Sequence, residues 1–232
     1  MKTLLCFCYL ALFCLSGCQK QSVSVPQLAP SSLPSLRSTK SVPKIVAFGD
    51  SLTAGFGLSQ QQSYPAFLEE RLRRDGFQYE VVNSGVSGDT SAGGLRRIDW
   101  ALDDDVRFVI LELGANDFLR GQPATETKKN LAAIIDHVQA RGAVVILAGM
   151  YAPTSFGRDY EVEIHNLFRQ LAREKNVTLI PFFLEGLGGV DSLNQPDGIH
   201  PNVDGTKILV ENVYKYLKPM LAVDQKHAST SR

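Results

Sequence analysis

From Lys44 onward the chain alternates between two hydrophobic periods. Short apolar runs rich in β-branched residues, at Ile45–Phe48, Tyr79–Val82, Phe108–Leu113, Val144–Ala148 and Val177–Ile180, have the length and composition of buried strands. Between and after them, apolar residues recur at i, i+3, i+4 and i+7. Leu131, Ile134, Ile135 and Val138 form one such stripe, and Tyr160, Ile164, Leu167, Phe168 and Leu171 form another, each the buried face of a helix. This alternation predicts an α/β fold built from right-handed βαβ crossovers: a parallel sheet covered by helices on both faces, with functional loops at the carboxyl ends of the strands. His137 and His165 lie among the helical stripes with no metal-ligand neighbour and read as surface or packing residues.

Before Lys44 the pattern differs. A charged start at Lys2, an apolar core from Leu4 to Leu15 and the small-residue ending Leu15-Ser16-Gly17-Cys18 make residues 1–17 an export signal. That core is shorter than the roughly 20 apolar residues that a membrane-spanning helix requires. Its ending resembles a bacterial lipobox, which implies lipidation of Cys18 and a membrane anchor made of acyl chains. Gln19 in the next position, rather than Asp, is similar to the pattern of outer-membrane lipoproteins facing the periplasm, with a soluble periplasmic protein as the alternative. Residues 18–43, rich in Ser and Pro with prolines at 26, 30, 34 and 43, read as a tether that forms neither helix nor central strand. A folded domain is expected over 44–221 and a disordered C-terminal tail over 222–232.

Charge and cysteine content narrow the picture further. The chain carries 24 Lys and Arg against 24 Asp and Glu. Four of the basic residues and none of the acidic ones precede Lys44, leaving the rest at a net −4, which is no footprint for a nucleic-acid partner. The four cysteines are Cys6, Cys8, Cys14 and Cys18, so the folded domain has no disulfide and relies on an ordinary core. Its length suits one domain, expected to be a monomer.

Four post-strand loops hold the candidate chemistry: Gly49-Asp50-Ser51, Asn83 to Thr90, Gly114-Ala115-Asn116-Asp117, and Asp197-Gly198-Ile199-His200-Pro201-Asn202. Ser51 is the candidate nucleophile, although Asp-Ser after a strand is equally helix-cap chemistry. His200 can serve as general base, and Asp197, three residues earlier, can orient its imidazole; the same residues also suit a surface turn. Acyl transfer needs donors aimed at the developing oxyanion. The Ser51 and Gly88 backbone N–H groups and the Asn116 amide are of the required kind. Apolar residues of the same loops, Phe118, Leu119, Tyr151, Phe156, Phe183 and Ile199, are candidates for an acyl groove.

Gly49-Asp50-Ser51-Leu52, Ser87-Gly88-Asp89-Thr90, Gly114-Ala115-Asn116-Asp117 and Asp197 to Asn202 resemble the four blocks of the SGNH, or GDSL, hydrolase family. The likeness runs from about Lys44 to Leu221. It is most marked toward the bacterial arylesterases, acyl-CoA thioesterases and lysophospholipases, which share Asn-Asp-x-Leu-Arg-Gly as in Asn116–Gly121. The resemblance implies a three-layer, flavodoxin-like α/β/α fold with a five-stranded parallel sheet in the order 2-1-3-4-5. It implies Ser51 as nucleophile, Gly88 and Asn116 as oxyanion donors, His200 as base and Asp197 as its partner. No G-x-S-x-G elbow, P-loop, dinucleotide fingerprint or zinc motif is present, and neither cofactor nor metal is expected. The expected activity is hydrolysis of carboxylic esters or thioesters through an acyl-serine, with a small acyl ester or lysophospholipid-like molecule as substrate. An O-acetyl esterase acting on envelope polysaccharide and a non-catalytic, lipid-tethered binding module are the rival readings.

Overall fold

The computed structural model describes residues 41–103, 105–152 and 156–230. The expected export segment, Cys18 and all of the expected tether except Ser41, Val42 and Pro43 lie outside the described residues. Five strands, β1 (Lys44–Gly49), β2 (Glu80–Gly85), β3 (Val106–Glu112), β4 (Val144–Ala148) and β5 (Thr178–Ile180), form one parallel sheet in the order β2-β1-β3-β4-β5. The central strands β1, β3 and β4 are buried over nearly their whole length, as expected for strands covered on both faces. At the edge, β2 runs past its apolar run through Asn83 and Ser84, because all six of its residues pair with β1.

Among the described residues seven α-helices connect or follow the strands: α1 (Ser51–Ala54), α2 (Tyr64–Arg74), α3 (Ser91–Ala101), α4 (Ala115–Leu119), α5 (Ala124–Ala140), α6 (Arg158–Lys175) and α7 (Val203–Thr230). The long ones form two groups, α3 against α5 and α5 against α6 in one, α2 against α7 in the other. With right-handed crossovers, the return of the chain from β2 to β3 places these groups on opposite faces of the sheet. The expected helical stripes are the buried faces of α5 and α6: Leu131, Ile134, Ile135, Val138, Ile164 and Leu171 are fully enclosed, and Leu167 and Phe168 nearly so. Among the described residues no helix is long and apolar enough to cross a membrane.

The C-terminal tail is a correction. Residues 222–230 continue α7. Leu217 and Leu221 extend the buried stripe of Leu209, Val210, Val213 and Tyr214, and one turn further Asp224 accepts a 2.6 Å hydrogen bond from the Tyr79 hydroxyl. Over residues 222–227 the side chains are mostly exposed, so the apolar signal stops while the backbone helix goes on.

Candidate active site

The register of the sheet already brings the chemistry together. Gly49, the last residue of β1, lies level with Gly85 of β2 and Glu112 of β3, so the loops after all three strands emerge at one place. Ser51 follows β1 by two residues and opens α1. Asp50 caps that helix, its Oδ1 accepting the Leu52 N–H at 3.0 Å. The turn is tightly packed: a Cβ on Gly49 would lie 2.1 Å from Thr53 Oγ1 and 2.4 Å from Glu112 Oε2.

A second loop reaches Ser51 from the far end of the chain. Residues 194–201 form a pinched turn, closed by the Asn194–Pro201 bridge and by the Gln195 N–H donating to the His200 carbonyl at 2.7 Å. Gln195 Nε2 donates to the Phe56 carbonyl at 2.7 Å, tying this turn to the segment after α1. Within it His200 Nε2 lies 2.8 Å from Ser51 Oγ, and His200 Nδ1 lies 2.7 Å from Asp197 Oδ2. Asp197 Oδ1 accepts the backbone N–H groups of Ile199 and His200 at 2.9 and 3.0 Å. These donors, the His200 backbone N–H foremost, hold the Asp197 carboxyl down to about 2. With Asp197 ionised, Nδ1 carries the hydrogen and Nε2 is left to accept the serine proton. The Phe56 ring covers the imidazole at a centroid distance of 4.6 Å.

The other two loops supply amide donors. Gly88 has φ +80, a left-handed turn conformation that glycine adopts without strain, and its carbonyl accepts Arg120 Nη2 at 2.8 Å. Asn116 lies in α4, and its Nδ2 donates to Asp50 Oδ2 at 2.9 Å. Arg97 braces the same region by donating to Asp89 Oδ2, the Ser84 carbonyl and the Gly49 carbonyl at 2.7, 2.8 and 2.9 Å. Asp117 fixes the start of α3 by accepting the Ser91 N–H and hydroxyl at 2.8 and 2.5 Å.

The six residues expected in an acyl groove divide. Phe118 and Phe183 are buried in the core, their rings edge-on to Phe168 and to Tyr64 respectively. They offer no surface to a ligand, so the expectation is corrected for both. Leu119, Tyr151, Phe156 and Ile199 are exposed. Tyr151 stacks on Phe182 at 4.2 Å and lines a cleft of 690 Å³ with Arg158, Glu161, Val162 and His165. The cavity directly against Ser51 and His200 holds only 10 Å³, too small for an acyl chain, which leaves such a chain to the open surface. His137 sits on the surface beside Asp99, with Nδ1 3.1 Å from Oδ1. Among the described residues no group of three or more His, Cys, Asp or Glu side chains is disposed to hold a metal ion.

Comparison with known proteins agrees with this geometry. Residues 47–208 match the GDSL-like lipase/acylhydrolase family. The chain belongs to that family. The esterase TesA of Pseudomonas aeruginosa is 41% identical over 178 residues, which are 76% of this chain and 89% of that protein. Thioesterase 1/protease 1/lysophospholipase L1 of Escherichia coli K12 is 35% identical over 78% of this chain and 86% of its own length. The crystal structure of the psychrotrophic esterase EstA from Pseudoalteromonas sp., inhibited by monoethylphosphonate, superimposes with a TM-score of 0.73 at 32% identity, covering 77% of this chain and 98% of that one. The protein is thus a serine ester hydrolase with the SGNH fold.

Two residues at the site were not among the sequence candidates. In sequence Asp50 stands only as part of the first motif, and Glu112 as a member of an apolar strand. A single acid inside the run Phe108–Leu113 is the available signal for Glu112; for Asp50, which in sequence reads as a helix cap, there is none.

Proposed function

We propose that Ser51, His200 and Asp197 carry out acyl-ester hydrolysis, with the backbone N–H groups of Ser51 and Gly88 and the Asn116 amide as the oxyanion hole. The unbroken hydrogen-bond chain from Ser51 Oγ through both imidazole nitrogens to Asp197 is the observation that carries this reading. His200 Nε2 takes the serine proton as Oγ attacks the acyl carbonyl, and the imidazolium is stabilised by Asp197. Collapse expels the alcohol or thiol, which takes the proton from Nε2, and leaves an acyl-serine. Water, deprotonated by the same nitrogen, then hydrolyses it. The site is open, with exposed Phe56 against the imidazole and exposed Ile199 next to His200 in the chain, which suits small acyl esters or single-chain lipid esters.

The reading includes lipidation at Cys18 and attachment to the periplasmic side of the outer membrane, supported by the Leu-Ser-Gly-Cys ending and the proline-rich stretch behind it. The catalytic assignment is tested with protein lacking residues 1–18, p-nitrophenyl esters and a reactive phosphonate. Ser51→Ala is expected to lose on the order of 10⁴ to 10⁶ in turnover and to escape phosphonylation. A variant that keeps a tenth of the activity, or still takes up the label, overturns it.

A further inference from the structure

Beneath the nucleophile the fold buries two carboxyl groups that acyl transfer does not use. Asp50 is 1% exposed and Glu112 not at all. Each oxygen of Asp50 faces a donor, Oδ1 the Leu52 N–H at 3.0 Å and Oδ2 the Asn116 amide at 2.9 Å. Glu112 differs: Oε2 accepts both the Asp50 N–H at 3.2 Å and the Thr53 hydroxyl at 2.8 Å, whereas Oε1 is buried and faces no donor, the neighbouring Asp50 carboxyl being able only to accept from it. A buried carboxylate keeps its charge where donors compensate it, and two such groups side by side do not both ionise. The donor pattern therefore leaves the charge on Asp50 and the proton on Glu112. Burial raises both carboxyls, Asp50 to about 6 and Glu112 well above its ordinary range, in keeping with one charge for the pair.

The charge has a consequence for Asn116. A primary amide presents two hydrogens at one end and a carbonyl oxygen at the other, and an ionised carboxylate accepts only the first. With one Nδ2 hydrogen held by Asp50 Oδ2, the second remains for an acyl oxygen. The opposite amide orientation would set Asn116 Oδ1 against the carboxylate. We propose that Asp50 is a positioning residue of the oxyanion hole, whose carboxylate fixes the Asn116 amide with its nitrogen toward the reacting carbonyl, while neutral Glu112 holds Asp50 through its backbone N–H. This rests on the assignment of Asn116 as an oxyanion donor. Helix capping alone does not require it, because Asn or Ser would cap α1 as well.

The groups facing Asp50 are Glu112 from β3, Tyr64 from α2 and His200 from the 194–201 turn. Once protonated, Asp50 gains a hydrogen to donate and Asn116 is free to turn its oxygen inward. The lock opens in acid.

A double-mutant cycle on a p-nitrophenyl ester decides the matter. Asn116→Ala is expected to lower kcat by roughly 10²- to 10³-fold with little change in KM, and Asp50→Asn by on the order of 10- to 10²-fold, since its amide permits the wrong orientation of Asn116. The double variant is expected within about threefold of Asn116→Ala, because a residue acting only through the amide has nothing left to lose. The ratio of parent to Asn116→Ala turnover is expected to shrink as pH falls through the range in which Asp50 protonates. Asp50→Ser, which caps α1 but does not reach Asn116, serves the same cycle if Asp50→Asn does not fold. Losses that multiply, a pH-independent ratio, or parental kcat in either Asp50 variant overturns the proposal. Parental kcat in Asn116→Ala overturns the oxyanion assignment itself.

Discussion

Asp50→Asn separates stability from activity at this site. Burial pushes the Asp50 carboxyl up to about 6, above its ordinary 3.8. A carboxyl raised in this way binds its proton more tightly in the folded chain than in the unfolded one. Its ionisation therefore costs nothing at a pH below about 4, and stability declines as pH rises from there to about 6 and stays lower above that. The rise from 3.8 to about 6 corresponds to about 3 kcal/mol, a large part of the stability of an ordinary domain. Asparagine does not ionise, and its Oδ1 still accepts the Leu52 N–H. The difference in unfolding free energy between variant and parent is thus expected to move by about 3 kcal/mol in favour of the variant between pH 4 and pH 8, while kcat falls. Any pH-independent cost of the substitution, such as a rearranged Asn116, cancels in that difference. Urea unfolding at both pH values measures it, with both proteins carrying His200→Gln so that no imidazole titrates beside Asp50. A difference that stays constant to within about 1 kcal/mol refutes the claim that a buried charge sits beneath the nucleophile.

Asp197→Asn is expected to lower kcat by on the order of 10⁴ with an unchanged circular dichroism spectrum, since it disturbs the imidazole tautomer rather than the packing. The Asp197 carboxyl is depressed to about 2, first by the His200 backbone N–H, so its stabilisation is present above its ordinary 3.8 and is lost as pH falls toward 2; parent and variant stabilities are expected to converge over that interval. Gly49→Ala, with a Cβ 2.1 Å from Thr53 Oγ1 and 2.6 Å from the Glu112 carbonyl, is expected to destabilise by about 1 to 3 kcal/mol or more, and a parental urea midpoint would show that the loop yields freely. Along a p-nitrophenyl series, kcat/KM is expected to rise from acetyl toward medium chains, each methylene covered by the apolar rim adding up to about 0.8 kcal/mol; a strict acetyl preference favours a deacetylase. Fractionation of cells expressing the full chain and Cys18→Ser is expected to move the protein from the membrane to the soluble periplasmic fraction, and identical distributions refute lipidation.

The sheet was legible because its strands are buried on both faces and leave continuous apolar runs: the expected Val144–Ala148 is β4 residue for residue, and Phe108–Leu113 covers most of β3. Burial pattern loses its hold where a strand lies at the edge or a helix leaves the core. Asn83 and Ser84 extend β2 although they break its apolar run, since pairing with β1 needs only their backbone. Residues 222–230 stay helical although the side chains of 222–227 no longer mark an inner face. The proposed catalytic groups stand out in the sequence for another reason, since each lies in or next to a short loop where Gly and Pro restrict what else a Ser, Asp or His could be doing.

Sequence reasoning failed where function is carried by the absence of a partner. Phe118 and Phe183 stand in the right loops, but whether an aromatic ring faces the substrate or the core depends on the turn of one residue. Glu112 poses the same problem with higher stakes. In sequence it is one acid after Phe-Val-Ile-Leu; in the fold it is a fully enclosed carboxyl with an orphaned oxygen. Removing it in favour of an apolar residue would relieve a desolvation cost and strip Asp50 N–H and Thr53 Oγ1 of their acceptor, leaving two buried donors unpaired at about 1 to 3 kcal/mol each. Retaining a neutral acid there keeps both donors satisfied without adding a second negative charge next to Asp50. The segment that bears the nucleophile is held by a group that need never ionise, and the single charge of the pair is left to face Asn116.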